Sequence, residues 1–313
     1  MTQRKIIAVV GATGAQGGGL VRAIQADPNG GFVARAITRD ADSDKARALA
    51  ALGAEVVSAD VDDEKSLERA FAGAYGAYCV TFFWAHFSPE KEYTEARNMA
   101  QAAKAAGVSH VVWSTLEDTR TVVGESMPTL MGKYKVPHFD AKGEADQFFR
   151  DAGVPTTYLY PSYYWDNLIY FGAGPTKGPD GVLQFTLPTG KAKMAGVAAE
   201  DIGKVAYGIF KAGDKYVGQK VGVAGEQLTG AEMAAKLTRA LGREVRHNDM
   251  SPEAYRALGF PGAEDLGNMF QFYRDFAVPL NQLRDVARSR ELNPALLDFD
   301  AWLARYKERI PIG

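Results

Sequence analysis

Glycines near the start of the chain have the spacing of a loop that binds an anion. Gly11, Gly14 and Gly17 stand between the apolar run Lys5–Val10 and the helix-compatible stretch Leu20–Ala26. A strand, a tight turn and a helix N-terminus in this order present bare backbone N–H groups to an anion. Gly11 would permit the turn, Gly14 would admit a diphosphate close to the backbone, and Gly17 would allow close helix–sheet packing. The sequence predicts a dinucleotide site here; a glycine-rich structural turn is the alternative.

An arginine marks a second point at which a dinucleotide would be recognised. Folds that select NAD carry an acidic residue at the end of the second strand, about twenty residues after the glycines. Thr38 and Arg39 occupy that position here. Because a guanidinium can pair with a phosphate through two hydrogen bonds, Arg39 favours NADP(H), with NAD(H) as the second cofactor. A solvated surface arginine is the alternative.

Two further strand ends carry side chains that could contact a cofactor. Asp60 and Val61 follow the third apolar run, where a side chain could reach the adenine amino group; Asp60 as a helix cap is the alternative. Thr81, Phe82 and Phe83 follow the fourth run, beside the point where doubly wound sheets bind ligands. A flat cofactor face could pack there, and the alternative is a hydrophobic strand end that runs into the core.

Lys142 stands where a reductase helix would carry its cofactor-binding lysine. Short-chain dehydrogenases place a tyrosine four residues before that lysine, so both side chains leave one helix face. The lysine holds the nicotinamide ribose and the tyrosine moves a proton. Here the earlier position is His138, which could in principle act as the acid, and Tyr134, Tyr163 and Tyr164 are the substitutes that the sequence offers. The catalytic candidates are Lys142, His138 and Tyr164, and a plain surface lysine is the alternative for Lys142.

Short apolar runs alternate with helix-patterned stretches over the first half of the chain, which is typical of a parallel sheet. The predicted strands are Ile6–Val10, Val33–Ile37, Glu55–Ala59, Ala77–Thr81, His110–Ser114 and Thr156–Tyr160. The predicted helices between them are Ala15–Ala26, Ser43–Leu52, Asp63–Phe71, Pro89–Ala106 and Phe139–Ala152. Helix Asp201–Lys211 and strand Lys220–Ala224 resume the pattern later. Amphipathic helices dominate from Leu228 onward, and their predicted ranges are Gly230–Leu241, Pro252–Leu258, Glu264–Phe276 and Phe299–Arg309.

The fold class expected from this pattern is α/β: a doubly wound parallel Rossmann sheet with a smaller, mostly helical C-terminal lobe. Residues 1–162 are expected to form the dinucleotide-binding domain, to which 197–225 return. Residues 163–196 and 226–313 are expected to form the smaller lobe for a substrate or partner.

Composition excludes several classes of function. The 38 acidic and 36 basic residues nearly cancel, which disfavours direct nucleic-acid binding. The single cysteine, Cys79, is interpreted as a small core residue, and a reducing cytosol fits best. No apolar stretch reaches the length of a membrane span, and we expect an untargeted chain. The sequence lacks Cys/His metal-ligand spacing, a GxSxG motif and a Walker lysine. It therefore does not support a metal site, a serine hydrolase or an NTPase.

Several short motifs along the chain carry a family resemblance. They are Gly11–Gly17, Thr38-Arg39, Gly53–Val57, Asp60–Asp63, His138–Glu144, Tyr158–Asn167, Leu187–Gly190, Lys215–Gln219 and Leu258–Ala263. In these segments the chain resembles the NmrA-like family of atypical short-chain dehydrogenase/reductases. The resemblance implies an NADP(H)-binding protein with a reduced or absent dehydrogenase site that senses redox state and regulates partner proteins. It implies cofactor contacts for Gly11, Ala12, Thr13, Gly14, Ala15, Gln16, Arg39, Asp60, Val61, Thr81, Phe82, Phe83, Lys142, Tyr164, Trp165, Asp166 and Asn167.

This chain departs from the family pattern at two places. Asp42 and Ser43 stand where relatives carry more basic residues after the arginine, which weakens the expected preference for NADP. Phe82 stands where relatives often have an asparagine, so one polar contact on the nicotinamide side is expected to be missing.

Two functional hypotheses follow. The first is a regulatory sensor whose shape or partner changes with cofactor occupancy; the segment Glu117–Val136 is a candidate mobile element, and a static surface loop is the alternative. The second is a reductase that delivers hydride to a small carbonyl or quinone in an aromatic pocket near Phe83, Trp84, Tyr163 and Trp165. The oligomeric expectation is a monomer or a homodimer.

Overall fold

A seven-stranded sheet is the main feature of the computed structural model, which describes residues 4–312. The strands are β1 Lys5–Val9, β2 Phe32–Thr38, β3 Glu55–Ser58, β4 Gly76–Cys79, β5 His110–Ser114, β6 Thr156–Tyr160, β7 Tyr163–Tyr164, β8 Thr176–Lys177, β9 Leu183–Thr186, β10 Met194–Val197, β11 Lys220–Gly222, β12 Glu226–Leu228 and β13 Val245–Asn248. The large sheet has the order β11-β6-β5-β4-β1-β2-β3, and every pair from β6 to β3 is parallel. The order reverses between β1 and β4, which is the switch point of a doubly wound sheet.

Helices connect these strands and make up most of the C-terminal part. They are α1 Ala15–Gln25, α2 Asp44–Ala51, α3 Glu64–Phe71, α4 Pro89–Ala105, α5 Arg120–Val123, α6 Pro137–Ala152, α7 Asn167–Tyr170, α8 Ala199–Lys211, α9 Gly230–Leu241, α10 Pro252–Arg256, α11 Ala263–Asp275, α12 Ala277–Leu283, α13 Val286–Leu292 and α14 Phe299–Tyr306. Short 3₁₀ turns cover Phe83–Ala85, Gly213–Tyr216 and Lys307–Arg309. The predicted fold class, a doubly wound parallel sheet with a helical C-terminal part, is confirmed.

Local sequence explains where these helices begin. Ser43, Asp63 and Ser88 each accept a hydrogen bond from a backbone N–H in the first turn of the helix that follows. Pro89 occupies the first helical position of α4, where its missing N–H costs nothing.

The chain groups into two compact units. Unit 1 holds the chain up to Asp118, Ala141–Tyr160 and Ala199–Val221; unit 2 holds Thr119–Asp140, Pro161–Ala198 and the chain from Gly222 onward. The large sheet lies in unit 1 apart from the last residue of β11. The grouping places 119–140 in unit 2, a segment that the sequence assigned to the first domain. The domain boundaries given above stay a prediction.

Backbone contact between α1 and α8 explains glycines that the cofactor motif does not. A Cβ on Gly19 would lie 2.2 Å from the Glu200 carbonyl oxygen, and a Cβ on Gly203 would lie 2.2 Å from the Leu20 nitrogen. Both distances are impossible for a side chain, so the two helices touch through their backbones. α8 thereby packs directly against the helix that follows the glycine loop.

The cores of the two units differ in how well the sequence predicted them. In unit 1, β4 and β5 are buried along their whole length, and Cys79 lies in β4 with no exposed surface, which confirms it as a core residue. Burial raises the pKa of its thiol far above the ordinary value. In unit 2, two small sheets, β12-β10-β7 and β13-β9-β8, were not predicted. Over residues 4–312, every helix is too short or too polar to cross a bilayer.

Candidate functional site

The loop between β1 and α1 has the geometry of an anion site. Gly11 has φ of +65°, a conformation that favours glycine, and its carbonyl accepts a 2.9 Å hydrogen bond from the Gly14 N–H. A Cβ on Gly17 would lie 2.5 Å from that carbonyl oxygen, so a glycine is required where the helix approaches the strand. Gly14 is the N-cap of α1 and supplies no side-chain cap, and the first turn holds no acidic residue. The first N–H groups of α1 are therefore available to an anion without competition from a carboxylate in that turn.

Gln16 lies in the first turn of α1 and ties it to the sheet. Its Oε1 accepts hydrogen bonds from the hydroxyls of Tyr78 in β4 and Ser114 in β5, the latter at 2.9 Å. Tyr78 has no exposed surface and Ser114 is buried. These bonds fix the helix start across the switch point. The side chain of Gln16 is thus a support for the loop, and its predicted cofactor contact stays a prediction.

Arg39 follows β2 with its side chain exposed to solvent. Within residues 4–312 its guanidinium forms no hydrogen bond or ion pair, whereas the nearby Arg47 is held by the Asp44 carboxylate at 2.6 Å. The Oδ1 of Asp40 accepts the Asp42 N–H at 3.0 Å, so this carboxylate oxygen is engaged within its own turn. Ser43, one of the departures from the family pattern, is the N-cap of α2. The geometry leaves Arg39 as the available cation at the end of β2.

Asp60 and Val61 follow β3 in a tight turn. The Asp60 carboxylate accepts the Asp62 N–H at 3.1 Å, and the N-cap of α3 is Asp63, whose carboxylate accepts the Ser66 N–H. The alternative that Asp60 caps the helix is therefore wrong, because the helix begins three residues later than that role requires. Val61 is half-buried and its carbonyl accepts a hydrogen bond from Asn98.

The segment after β4 does not continue into the core. β4 ends at Cys79, and the chain turns through the 3₁₀ turn Phe83–Ala85. Phe83 is buried, but Phe82 is 57% exposed, so the alternative of a buried strand end is wrong for Phe82. Trp84 packs edge-on against Phe83 and Phe87, with ring centroids 5.4 and 5.5 Å apart. Phe82 thus offers an exposed aromatic face directly after Thr81.

Lys142 is not a surface lysine. It lies in α6, its side chain is 12% exposed, and its Nζ lies 3.0 Å from Oε2 of Glu92 in α4. The ammonium also donates to the hydroxyl and to the carbonyl oxygen of Thr81, the latter at 3.2 Å. Thr81 in turn donates its hydroxyl to the same Glu92 oxygen. Lys142 is thereby fixed at the carboxyl end of β4.

Glu92 and Glu95 are the main residues that sequence reasoning missed. Both lie on the buried face of α4, together with Ala96, Met99 and Ala103. This is the helical spacing of a core stripe, and acidic residues on such a stripe are the signal that could have found them. Glu92 has no exposed surface. Burial, and then the charge of Glu92, raises the pKa of Glu95 to about 7.

His138 lies in the first turn of α6, in unit 2, and has a partner that the sequence did not reveal. Its Nδ1 lies 2.6 Å from Oδ1 of Asp265 in α11, and its backbone N–H donates to Oδ2 of the same carboxylate at 3.2 Å. Both side chains are buried. The carboxylate would hold the imidazole in one orientation, as an acid–base histidine needs, but it also serves as a structural clamp. The catalytic role of His138 stays a prediction.

The predicted contacts from Tyr164 to Asn167 lie in unit 2 around β7 and α7. Trp165 is 1% exposed and packs against Phe299 and Trp302, at centroid distances of 5.2 and 6.4 Å. Because its indole is core, a cofactor contact from Trp165 would have to come from its backbone. Tyr164 is half-buried, as are Asp166, the N-cap of α7, and Asn167.

The other tyrosines proposed as proton donors are buried. Tyr163 is 6% exposed, and burial raises the pKa of its hydroxyl well above the ordinary value. Tyr134 is 1% exposed. With Phe83 and Trp165 also buried, the side chains named for an aromatic substrate pocket belong largely to the cores of their units, apart from the half-buried Trp84.

The segment that follows β5 is fastened rather than loose. The Asp140 carboxylate, which has no exposed surface, accepts the Thr119 N–H and hydroxyl on one oxygen and the Lys135 and Val136 N–H groups on the other. Asn268 donates to the carbonyl oxygen of Pro128 at 3.0 Å.

The part of the chain that the structure describes contains no group of His, Cys, Asp and Glu side chains able to hold a metal ion.

Comparisons with known proteins place the chain in a family. The model of the NmrA-like family matches residues 3–303. The chain is 32% identical over 291 residues to the NmrA-like family domain-containing oxidoreductase FrzB of Cladobotryum sp, covering 85% of this chain and 83% of the relative. It is 31% identical over 263 residues to an NAD(P)H azoreductase of Xenophilus azovorans, covering 82% of each.

Solved structures share the fold. NmrA, described as a negative transcriptional regulator and crystallised with NAD and with NADP, superposes with a TM-score of 0.77 at 24% identity, covering 96% of this chain and 95% of NmrA. The sequence motifs also resemble NmrA-like family domain-containing protein 1, and that closer likeness stays a prediction. Because the family model and the relatives at 31–32% identity cover most of its length, the chain belongs to the NmrA-like family.

Proposed function

We propose that this protein binds NADP(H) at the carboxyl end of its large sheet and acts as a regulator that responds to the bound dinucleotide, with little or no dehydrogenase activity. The observation that carries the proposal is the start of α1. It has no side-chain cap and no acidic residue in its first turn, and Gly14 keeps the approach to its N–H groups free of a Cβ. Such a helix end is a site for a diphosphate.

The residues around this loop fit the other parts of the cofactor. Arg39 supplies an exposed guanidinium for a 2′-phosphate, and Asp60 and Val61 lie at the next strand end for the adenine. Lys142 has the charge and reach to hold the nicotinamide ribose. When bound, the nicotinamide would supply a hydride donor or acceptor. Structural neighbours crystallised with NAD and NADP support this cofactor class.

The regulatory role is supported by what surrounds Lys142. The position four residues earlier carries His138, whose Nδ1 is bound to Asp265, and no tyrosine hydroxyl stands there. The described role of NmrA as a transcriptional regulator supports the same proposal. Binding alone suffices for a regulator, provided that the cofactor favours one of two protein states.

A second candidate function is an NAD(P)H-dependent reductase of a small carbonyl, quinone or azo compound. Curated relatives at 31–32% identity carry the names oxidoreductase and NAD(P)H azoreductase. Phe82, 57% exposed directly after Thr81, supplies an aromatic face against which a flat substrate could stack.

One experiment on the purified chain tests both proposals. Calorimetry with NADPH and NADH measures binding, and the absorbance of NADPH measures its consumption in the presence of a ketone, a quinone and an azo dye. We expect binding without consumption for the regulator, and substrate-dependent consumption for the reductase. Gly14→Val, which places methyl groups over the start of α1, should weaken binding more than tenfold, whereas Ala50→Val on the exposed face of α2 should not. If Gly14→Val binds the cofactors as tightly as the unaltered protein does, the loop is not the site.

A further inference from the structure

The ammonium of Lys142 has all of its hydrogen bonds committed to two residues. A lysine carries three N–H donors and no acceptor. Here they go to the Thr81 carbonyl oxygen at 3.2 Å, to the Thr81 hydroxyl, and to Oε2 of Glu92 at 3.0 Å. Before Lys142 can donate to a ribose hydroxyl, one of these bonds must break.

Glu92 is poorly satisfied for a buried carboxylate. Its Oε2 accepts from both Lys142 and Thr81, but its Oε1 is buried without a hydrogen-bond partner among residues 4–312. A buried, unsatisfied carboxylate oxygen is costly, and its charge depends on the neighbouring cation. If the ammonium moves away, the least costly response of Glu92 is to take up a proton.

A second carboxyl lies one turn along the same helix. Glu95 is buried, and its Oε1 lies 3.7 Å from Nε2 of His86, a nitrogen that itself has no hydrogen-bond partner in the described chain. Burial lowers the pKa of His86, so this imidazole adds no fixed positive charge. The other charges that face the cluster are Lys91 and Asp62, which pair with each other at 2.5 Å. Lys142 is thus the cation in direct contact with Glu92, whereas Lys91 acts on Glu95 more strongly than Lys142 does.

We propose that Glu92 is the positioning residue for Lys142: its buried carboxylate holds the ammonium against Thr81 and releases it to a bound dinucleotide by taking up one proton from solvent. The step balances, because the carboxylate gains a proton from solvent as it loses its ammonium partner. Burial and the charge of Glu92 raise the pKa of the neighbouring Glu95 to about 7, which shows that negative charge is costly in this part of the structure. The inference rests on the proposed function, since it requires that Lys142 contact the dinucleotide.

The signature of this arrangement is proton uptake coupled to cofactor binding. Calorimetry with NADH in two buffers of different ionisation enthalpy measures the number of protons taken up. NADH is the probe because the 2′-phosphate of NADPH would itself titrate at about pH 6. For the unaltered protein we expect net uptake of up to about one proton, and a Kd that tightens by up to about tenfold per unit fall in pH around neutrality.

Substitutions separate this role from a merely structural one. Glu92→Gln is expected to abolish the proton uptake, and its Kd for NADH should vary by no more than about twofold over the same pH range. Glu95→Gln is expected to reduce the uptake. Glu200→Gln, which removes the carboxylate 2.8 Å from Lys204 on α8, is the matched control and should keep the uptake. If Glu92→Gln does not fold, Glu95→Gln and Glu92→Asp, which keeps a carboxyl, carry the test.

The possible results divide cleanly. Binding with no proton uptake, or unchanged uptake in Glu92→Gln, would overturn the role of Glu92 and leave the proposed function intact. If Glu92→Gln does not fold, unchanged uptake in Glu95→Gln overturns it in the same way. Failure of the unaltered protein to bind NADH and NADPH at every pH would refute the proposed function, and with it this inference.

Discussion

Two positions one turn apart in helix α6 bury basic side chains in contrasting ways. In the first turn, within unit 2, His138 is held by both oxygens of Asp265, and Asp140 uses both of its oxygens to bind four donors. One turn later, within unit 1, Lys142 is held by one oxygen of Glu92, while the other oxygen has no hydrogen-bond partner in the described chain. A carboxylate whose two oxygens both accept hydrogen bonds fixes a structure. A carboxylate with one oxygen lacking a hydrogen bond, next to a titratable neighbour, can exchange its partner. The first turn is thus a structural clamp, and Lys142 is a candidate functional group.

The largest expected effect tests the clamp at Asp140. Asp140→Asn keeps the shape but presents NH₂ to two of the four donors, so we expect a loss of about 4 kcal/mol in the free energy of unfolding, measured by urea denaturation. Asp151→Asn, on the exposed last turn of the same helix, should change it by less than about 0.5 kcal/mol. A small effect at Asp140 would show that segment 119–136 is not fastened by this carboxylate.

Asp265→Ala tests the second clamp. It leaves the imidazole and the backbone N–H of His138 buried without their acceptor, and we expect a loss of about 3 kcal/mol in unfolding free energy. The neighbouring Glu264→Ala, an exposed acid in the same turn of α11, should cost no more than about 0.5 kcal/mol. Equal effects in the two variants would contradict the contrast between the clamp and a surface charge.

The pH dependence of stability tests the titratable side of the comparison. The pKa of Glu95 is raised from its ordinary 4.5 to about 7, so the folded protein binds this proton more tightly than the unfolded chain does. Its contribution to stability is full below pH 4.5 and is lost as pH rises to about 7. Glu95→Gln removes that part of the slope and should gain about 2–3 kcal/mol relative to the unaltered protein between pH 5 and pH 8.

The measurement for Glu95→Gln is urea unfolding across that pH range. Asp140 and Asp146, whose pKa values burial also raises, titrate in both proteins and cancel in the difference. Glu90→Gln, on the exposed face of α4, is the control and should run parallel to the unaltered protein. If the free energy of unfolding of Glu95→Gln also changes with pH in parallel with that of the unaltered protein, the pKa of this carboxyl is not raised.

Arg39 extends the comparison to a cation that forms no ion pair within residues 4–312. Its substitution has the smallest expected effect on stability. Arg39→Ala should leave the unfolding free energy within about 0.5 kcal/mol. It should weaken NADPH binding about tenfold with little change for NADH, because only NADPH carries the 2′-phosphate. Arg47→Ala is the control, since Arg47 is already held by Asp44. Equal losses for both cofactors, measured by calorimetry, would show that Arg39 does not distinguish them.

Sequence reasoning worked best where one local pattern decides the structure. The strands from β1 to β6 and the helices between them, apart from the four-residue α5, follow from buried apolar runs and helical spacing. The predicted helix Gly230–Leu241 has the bounds of α9. The short strands of the two small sheets, two to four residues long, carry too few side chains to show a period. The helices α12 and α13, seven residues each, were missed for the same reason.

The site was predicted less completely, because its partners are distant in sequence. The glycine loop is local, and its turn and close packing were read from residue types alone. Glu92 lies 50 residues before Lys142, and Asp265 lies 127 residues after His138. No spacing rule connects such pairs. For Glu92, only its placement on the apolar stripe of α4 could have indicated a buried role, and that signal was not used.

The sole thiol of the chain sits in the middle of the large sheet, at the end of β4, with no exposed surface. A modifying reagent can reach it only when that strand separates from its neighbours, so the rate of alkylation reports the free energy of opening at the centre of the dinucleotide fold. The protein therefore carries its own probe of whether a ligand tightens the sheet, and no label needs to be introduced.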